Sequence, residues 1–254
     1  MQIQTGMRRG LRAAVAALAL WSGLAQALTV TDMAGRSVQV PDRVQRVLLG
    51  EGRMVYTMAL LEGRQAVERV AGWQGDFRLL DTQGYAAFSK AFPAMEKLPL
   101  VGGATPESFN VEQALAVRPD VAFMAVSGGH GPAPDSEAVR QLQAAGVPVV
   151  FVDFSQHPLT HTVPSLRLMG QVLGRQQRAE DFIAFYEQRI ERVRQRVAAA
   201  RRKDGFQRPA IFIDMLAGLR DCCGSPGKGN FGEMVELAGG DNIGAGRIPG
   251  PIGT

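Results

Sequence analysis

The sequence predicts an α/β protein in which two Rossmann-like lobes with mainly parallel sheets are joined by a long α-helix. Short apolar strands alternate with helices over residues 46–153, which is typical of a parallel sheet covered by helices. One amphipathic helix then occupies about residues 176–202, and a new apolar strand begins at residue 209. The strand that follows the long helix indicates that a second half-sheet starts there.

The N-terminal lobe is predicted to comprise residues 28–160. A hairpin is expected at its start, because residues 28–41 alternate around a turn that contains Gly35. The apolar runs that follow predict buried strands, and helices fill the intervals between them. The expected strands are residues 46–50, 67–71, 121–126 and 147–153, and the expected helices are residues 54–61, 110–117 and 136–145. Residues 73–99 are mixed and rich in aromatic side chains, so one short helix and much irregular chain are expected there.

Residues 161–205 are predicted to form a helical segment between the lobes. A first helix ends at Gly174, and the long helix after it has one apolar stripe, because its apolar residues recur at steps of three and four. The C-terminal lobe, residues 206–254, is expected to begin with a strand at residues 209–214. The chain then runs through a Gly- and Pro-rich stretch to its last residue, so we expect this lobe to be incomplete and the sequence to be a fragment.

The first 27 residues have the composition of a secretory signal peptide. A basic segment with three arginines precedes an apolar run at residues 13–21, and Ala25-Gln26-Ala27 is a small-x-small cleavage site. The apolar run is shorter than the ~20 residues that a membrane-spanning helix needs. We therefore expect an exported protein that is cleaved after Ala27. Cleavage removes three positive charges, so the formal net charge of +4 becomes about +1, and no basic surface for nucleic acid is expected.

Motifs for catalysis and cofactor binding are not found in the sequence. It has no GxSxG elbow, no P-loop and no dinucleotide-binding GxGxxG, so we predict no catalytic residues, no cofactor and no enzymatic activity. His157 and His161 have metal-ligand spacing, but Pro158 lies between them and no third ligand is evident, so no metal site is predicted. The adjacent Cys222 and Cys223 are compatible with a strained vicinal disulfide or with two free thiols.

Two glutamates lie in similar contexts, one in each half of the chain. Glu112 follows Asn110-Val111 and precedes an Arg-Pro-Asp-Val sequence, and Glu236 precedes Leu-Ala-Gly-Gly-Asp-Asn-Ile. With these segments, the chain resembles the bilobed periplasmic binding proteins that serve ABC importers of ferric siderophores, haem and vitamin B12. Further segments that carry the resemblance are Val30-Thr31-Asp32, Gly35-Arg36, Val40-Pro41, Arg46-Val47, Val101-Gly102, Gly146-Val147-Pro148-Val149, Leu173-Gly174 and Ala179-Glu180.

The resemblance implies a monomeric periplasmic receptor that captures a metal chelate between its lobes and delivers it to an inner-membrane ABC permease with its ATPase. A ferric siderophore is the leading cargo, and haem and cobalamin are the alternative cargoes. The alternative function is that of a chelatase-like enzyme on a similar fold. In such proteins one glutamate per lobe docks on the permease, which assigns that role to Glu112 and Glu236. The residues expected to face the ligand are Glu51, Arg53, Trp73, Asp76, Tyr85 and Arg220.

Overall fold

The structure is a computed structural model that describes residues 27–127, 129–215 and 224–253. The expected signal peptide, apart from its last residue, lies outside the described residues, as do Arg220, Cys222 and Cys223. Within the described ranges, no helix has the length and apolar character needed to cross a membrane.

The chain begins with an antiparallel hairpin of β1 (Leu28–Thr31) and β2 (Ser37–Val40). Asp32 organises its turn, because one carboxylate oxygen accepts the N–H groups of Ala34 and Arg36 at 3.0 and 2.9 Å. The other oxygen forms an ion pair with Arg36 at 2.7 Å and accepts the N–H of Phe151 at 3.2 Å. Arg36 also donates to the carbonyl of Val149 at 2.7 Å. This one carboxylate therefore closes the turn and attaches the hairpin to the edge of the main sheet.

A five-stranded parallel sheet forms the centre of the N-terminal half, which confirms the predicted α/β class. Its strands pair in the order β5-β4-β3-β6-β7. They are β3 (Val47–Leu49), β4 (Val70–Gln74), β5 (Leu100–Gly102), β6 (Val121–Ala125) and β7 (Val149–Val152). The strand expected at 67–71 begins three residues later, because Val70 is the residue that pairs with Val47.

The helices of the described chain, in order, are α1 (Val55–Glu62), α2 (Asp76–Leu80), α3 (Thr82–Ala91), α4 (Val111–Ala116), α5 (Glu137–Ala144), α6 (Pro158–Leu173), α7 (Gln176–Arg201) and α8 (Phe231–Leu237). One face of the sheet packs with α1 and α6 in the larger apolar core, and the other face packs with α4 and α5. Both faces are covered, so the strands are apolar throughout rather than alternating.

Residues 73–99 are more regular than the sequence indicated. They contain α2, α3 and a 3₁₀ turn at Pro93–Lys97. Asp81 separates the two helices, because its side chain accepts the N–H of Gly84 and caps α3. Phe77 and Phe88 pack edge-on against each other and against Tyr56 of α1, whose hydroxyl donates to Asp81 at 2.6 Å. These contacts join distant residues, which local sequence patterns do not reveal.

The two consecutive helices α6 and α7 lead from the main sheet to the C-terminal segment. Gly174 separates them in the left-handed conformation, with a φ of 66°, as its position after an apolar helix predicts. Helix α7 has the expected length, but its apolar stripe is buried only at Ala179 and Ile183. The rest of this long helix is half-buried or exposed.

In the C-terminal segment, residues 206–254, the described residues 206–215 and 224–253 form four strands of two residues each and the short helix α8. β8 (Ala210–Ile211) pairs in parallel with β10 (Asp241–Asn242), and β9 (Ser225–Pro226) pairs antiparallel with β11 (Ile252–Gly253). The strand predicted at residues 209–214 is therefore shorter in the structure. The division into lobes at residues 160 and 205 stays a prediction.

Replacing Asp32 by Ala should lower the free energy of unfolding by about 2–4 kcal/mol, because the change leaves three backbone N–H groups and the Arg36 side chain without their acceptor. Urea denaturation followed by circular dichroism would measure the change. Asp42→Ala, at an exposed position of the neighbouring loop, is the matched control and should change stability by less than about 0.5 kcal/mol. Equal stability of the two variants would contradict the assigned role of Asp32.

Candidate ligand-binding cleft

The strand order reverses between β3 and β6, since the chain continues from β3 towards β5 on one side and from β6 to β7 on the other. In open α/β sheets the loops at such a reversal diverge and leave a crevice at the carboxyl ends of the strands. Here the loops after β3, β6 and β7 all contribute to one cavity of about 570 Å³. Its volume lies within the range of sites for small molecules and cofactors.

Two parts of the chain form the walls of this cavity, and we call them the sheet wall and the C-terminal wall. The sheet wall consists of residues that follow the central strands: Glu51, Arg53, Ser127, Gly129, His130, Phe154, Ser155, Gln156 and Pro158. The C-terminal wall consists of Met215, Asn230, Phe231, Met234, Pro251 and Ile252. The lining is therefore mostly apolar, with a few ionisable groups on the sheet wall.

Asp76 lies behind the sheet wall and fixes the loop after β3. Its fully buried carboxylate accepts the N–H of Gly52 and the Nε–H of Arg53, the latter at 3.1 Å. A Cβ atom at residue 52 would lie 2.3 Å from the carbonyl oxygen of Gln74, so only glycine fits there. The side chain of Arg53 stays 38% exposed and lines the cavity. Asp76 thus orients the guanidinium group of Arg53 towards the cleft, although Asp76 itself does not line the cleft.

Glu51 provides an ionisable carboxyl group beside Arg53. Burial raises the pKa of Glu51, and the nearby Arg53 guanidinium offsets this effect only in part. Asp76 adds a further increase by charge repulsion, while His130 acts in the opposite direction. A carboxyl group in this state is a hydrogen-bond donor to an acceptor in the cavity over a wider pH range than an exposed glutamate is.

His130, in the loop after β6, adds an imidazole to the same wall. Its Nδ1 lies 2.9 Å from the carbonyl oxygen of Ala104, so Nδ1 carries the proton of a neutral ring and Nε2 keeps a free electron pair. The backbone carbonyl of His130 accepts from the buried side chain of Gln74, which holds the loop. Histidines that bind metals are commonly oriented by such a hydrogen bond from the second ring nitrogen to a carbonyl group.

The structure places only part of the predicted ligand-contact set on the cleft. Glu51 and Arg53 line it, and Asp76 lies directly behind them. The expected position of Trp73 facing the cleft is wrong, because this side chain is only 1% exposed and packs in the core. Tyr85 stacks on Trp73 at a centroid distance of 6.2 Å and does not line the cavity either. Arg220 lies outside the described residues.

The prediction omitted several residues that the structure brings to the cavity. Ser127, His130 and Phe154 follow strands β6 and β7, and their position at the carboxyl ends of predicted parallel strands is a sequence signal that would have identified them. Phe231 and Met234 lie on α8. No local pattern identifies these two, since their position depends on how α8 packs against the sheet wall.

The two glutamates of the repeated sequence context have different surroundings. Glu112 lies in the first turn of α4 with an exposed side chain. Glu236, on α8, is 44% exposed and forms an ion pair with Arg208. Its second oxygen accepts the N–H of Asn242 at 3.2 Å. The carboxylate of Glu236 is therefore already shared with groups of its own segment.

The histidines with metal-ligand spacing each bind a carboxylate. His157 Nδ1 lies 2.8 Å from Glu233, and His161 Nδ1 lies 2.6 Å from Asp153. Among the described residues, no group of three or more His, Cys, Asp or Glu side chains is arranged to hold a metal ion.

Comparisons with known proteins connect this geometry with a family. The model of the family described as "Periplasmic binding protein" matches residues 66–249. No curated protein sequence matches the chain. Among solved structures, the chain is similar to FepB, a TroA-like periplasmic binding protein from Veillonella parvula, with 25% identity and a TM-score of 0.73. This match covers 88% of the chain and 64% of FepB.

Two further solved structures share the fold. MolA of Haemophilus influenzae, solved with bound molybdate, has 19% identity and a TM-score of 0.67, and the match covers 89% of this chain and 68% of MolA. A periplasmic haem-binding protein from Pseudomonas aeruginosa has 25% identity and a TM-score of 0.55, and the match covers 78% of this chain and 62% of that protein. The chain thus spans about two thirds of the length of these relatives.

Replacing Glu51 by Gln should stabilise the protein at pH 8 more than at pH 4.5. Because burial raises its pKa above the ordinary 4.5, Glu51 binds its proton more tightly in the folded than in the unfolded chain. Its contribution to stability therefore falls as the pH rises through the folded-state pKa, and it stays unfavourable above that value. A glutamine side chain does not titrate, so the difference in unfolding free energy between variant and wild type should increase with pH.

Urea denaturation at the two pH values would measure this difference. Glu68→Gln, at an exposed position, is the control for a glutamate outside the cleft and should show little pH-dependent difference. The burial argument for Glu51 fails if its variant behaves like the Glu68 variant.

Proposed function

The chain belongs to the periplasmic binding protein family, and on that premise we propose that it captures a metal chelate in this cleft and delivers it to an inner-membrane ABC permease. Proteins of this family act outside the cytoplasmic membrane in transport, and they bind their ligand rather than convert it. The observation that supports the proposal most is the cavity at the strand reversal, where the loops of three parallel strands face α8.

A ferric siderophore is the cargo that we propose first. Arg53 is held towards the cavity by Asp76, and a guanidinium group forms strong charge-assisted hydrogen bonds with anionic oxygen atoms of a chelate. The raised pKa of Glu51, caused mainly by burial, favours its protonated form, which does not repel such an anion. Arg220, outside the described residues, is proposed as a second cationic contact.

Haem is the second candidate, and His130 is the observation that favours it. The Nε2 atom of a His130 tautomer protonated at Nδ1 is a suitable axial ligand for haem iron. The aromatic and thioether side chains of Phe154, Phe231 and Met234 offer the apolar contact that a flat macrocycle needs. The similar structure from Pseudomonas aeruginosa is a haem-binding protein. Cobalamin is kept as a third cargo without a specific contact that favours it.

For docking on the permease, we propose that the exposed carboxylate of Glu112 interacts with a basic group of the membrane protein. An ion pair between two exposed groups guides association and fixes orientation more than it adds affinity. Glu236 is proposed as the second docking residue, and it would have to exchange Arg208 for a permease residue. The protein is proposed to act as a monomer.

Ligand titration of the protein without residues 1–27 tests the proposed cargo. The titrants are a ferric catecholate siderophore, a ferric hydroxamate siderophore, hemin and cyanocobalamin, and binding is measured by isothermal titration calorimetry. We expect saturable binding of one titrant at one equivalent. Saturation by none of them, in a protein shown to be folded, would contradict the proposal.

Two substitutions in the cleft should then identify the cargo class. Arg53→Met should weaken an anionic siderophore about tenfold or more, since a hydrogen bond to a charged group contributes about 1.5–3 kcal/mol. His130→Gln should weaken hemin and change its absorption spectrum while it affects a siderophore less. Arg64→Met, at an exposed position away from the cavity, is the matched control and should bind like the wild type.

Glu112→Ala should reduce ligand uptake by reconstituted permease about fivefold or more, because the receptor loses a charge that orients it on the membrane protein. Its ligand affinity should stay unchanged, since α4 does not line the cavity. Uptake into proteoliposomes and a parallel binding titration would separate these effects. Glu68→Ala is the control, and equal uptake by the Glu68 and Glu112 variants would refute the docking role of Glu112.

A further inference from the structure

The two walls of the cleft are joined directly by a group of hydrogen bonds at one end of the cavity. The backbone N–H of Asn230 donates to the carbonyl oxygen of Gln156, and its side-chain amide donates to the carbonyl oxygen of Ser155, both at 2.8 Å. These residues all line the cavity. The start of α8 is thereby attached to the loop that follows β7.

One carboxylate adds a titratable contact to this junction. Glu233, in the first turn of α8, places Oε1 2.8 Å from Nδ1 of His157 and accepts the backbone N–H of Leu159 with Oε2 at 3.1 Å. Glu233 is thus bound to both the ring and the backbone at the start of α6. Its side chain is largely buried, whereas the His157 side chain is 43% exposed to solvent.

The other ionisable groups around His157 leave its interaction with Glu233 attractive. Asp153 accepts the N–H of His157 and Nδ1 of His161. Burial alone would raise the pKa of Asp153, but hydrogen bonds from Gln156, His161 and their neighbours hold it below its usual value, so Asp153 keeps its negative charge to a lower pH than an ordinary aspartate does.

Two further groups lie close by. The ring of His161 lies 5.1 Å from that of His157, and its own partner is Asp153. Tyr186 of α7 donates its hydroxyl to the carbonyl oxygen of Pro158 at 3.1 Å. Burial raises the pKa of Tyr186, so it stays neutral. Arg194 of α7 also acts electrostatically on Tyr186. The carboxylates in direct contact with His157 are Glu233, at the ring, and Asp153, at the backbone N–H, and the imidazole that faces it is His161.

We propose that His157 and Glu233 form a latch that holds the two walls of the cleft together more tightly as the pH falls from 8 to 5.5. Imidazole changes its charge within this range. The distance of 2.8 Å between Nδ1 of His157 and Oε1 of Glu233 allows a hydrogen bond from the ring and, with a cationic imidazole, an ion pair. An imidazole that meets a carboxylate only when the walls are joined binds its proton better in that state, so protonation favours the joined form.

The consequence for ligand release rests on the proposed function, since a tighter junction between the walls slows the exit of a ligand held between them. The latch would therefore retain cargo more firmly at the lower pH. His157 and Glu233 act on the ligand only through the position of the walls, and they are positioning residues.

Hydrogen–deuterium exchange of the ligand-free protein at pH 5.5 and 8.0, corrected for the intrinsic rates, tests the latch separately from any ligand. We expect amides of residues 155–160 and 229–234 to be protected about twofold to fivefold more at pH 5.5 in the wild type, the range for a partly exposed ion pair. His157→Gln and Glu233→Gln keep hydrogen-bonding side chains and should remove this difference.

His161→Gln is the matched control, because it removes an imidazole from the same helical turn whose partner lies within the sheet wall. It should keep the pH difference of the wild type at residues 229–234. The proposal is overturned if the His157 and Glu233 variants keep the pH difference, if the wild type shows none, or if the His161 variant loses it equally. A protein that shows the latch but binds no chelate would refute the proposed cargo and leave the latch in place.

Discussion

The structure depends on the order in which five parallel strands pair. Apart from Leu100 on the edge strand, their large apolar side chains are buried on both faces, and each contributes about 1.5–3 kcal/mol of burial free energy. Because both faces are apolar, a one-residue shift would exchange the side chains that pack against the two helical layers rather than expose them, so close packing of these layers fixes the register. The order reverses between β3 and β6, and this reversal opens the crevice in which the few polar groups of the sheet wall are exposed.

Buried polar interactions turn the crevice into a shaped site. Asp76 has no contact with the cavity, yet it fixes Gly52 and Arg53. Gln74 fixes the loop after β6 in a similar way, because its side chain donates to the backbone carbonyl of His130. Side chains oriented in this way lose little conformational freedom when a ligand binds. The C-terminal wall contributes mainly apolar contact and, through Glu233, its attachment to the sheet wall.

Sequence patterns predicted the parts of the fold that depend on local periodicity. The strands were found because β3, β6 and β7 are continuous apolar runs, and α7 because its apolar residues recur at helical spacing. Glu51 and Arg53 lie at the cavity because they follow the first buried strand. Trp73 does not lie at the cavity, because it is still part of the fully buried strand β4. A difference of one residue at the end of such a strand decides whether a side chain lies in the core or in the crevice.

Contacts between distant residues account for the remaining differences. The carboxylate of Glu236 is shared with Arg208, 28 positions away, and that of Glu233 with His157, 76 positions away. Neither pairing can be predicted from the residues that neighbour it in the sequence. The aromatic packing that orders residues 76–91 likewise depends on Tyr56 of another helix. Such interactions decide which of many plausible polar residues end up together, and only the folded chain shows them.

The claim that this cleft binds the ligand is tested most directly by a crystal structure of the protein in complex with an iron chelate, with anomalous diffraction recorded at the iron edge. We predict a single iron peak inside the cavity, between Arg53 or His130 on the sheet wall and Phe231 on α8. An iron peak on an outer surface, with the cavity filled only by solvent, would contradict the assignment of this cleft as the binding site.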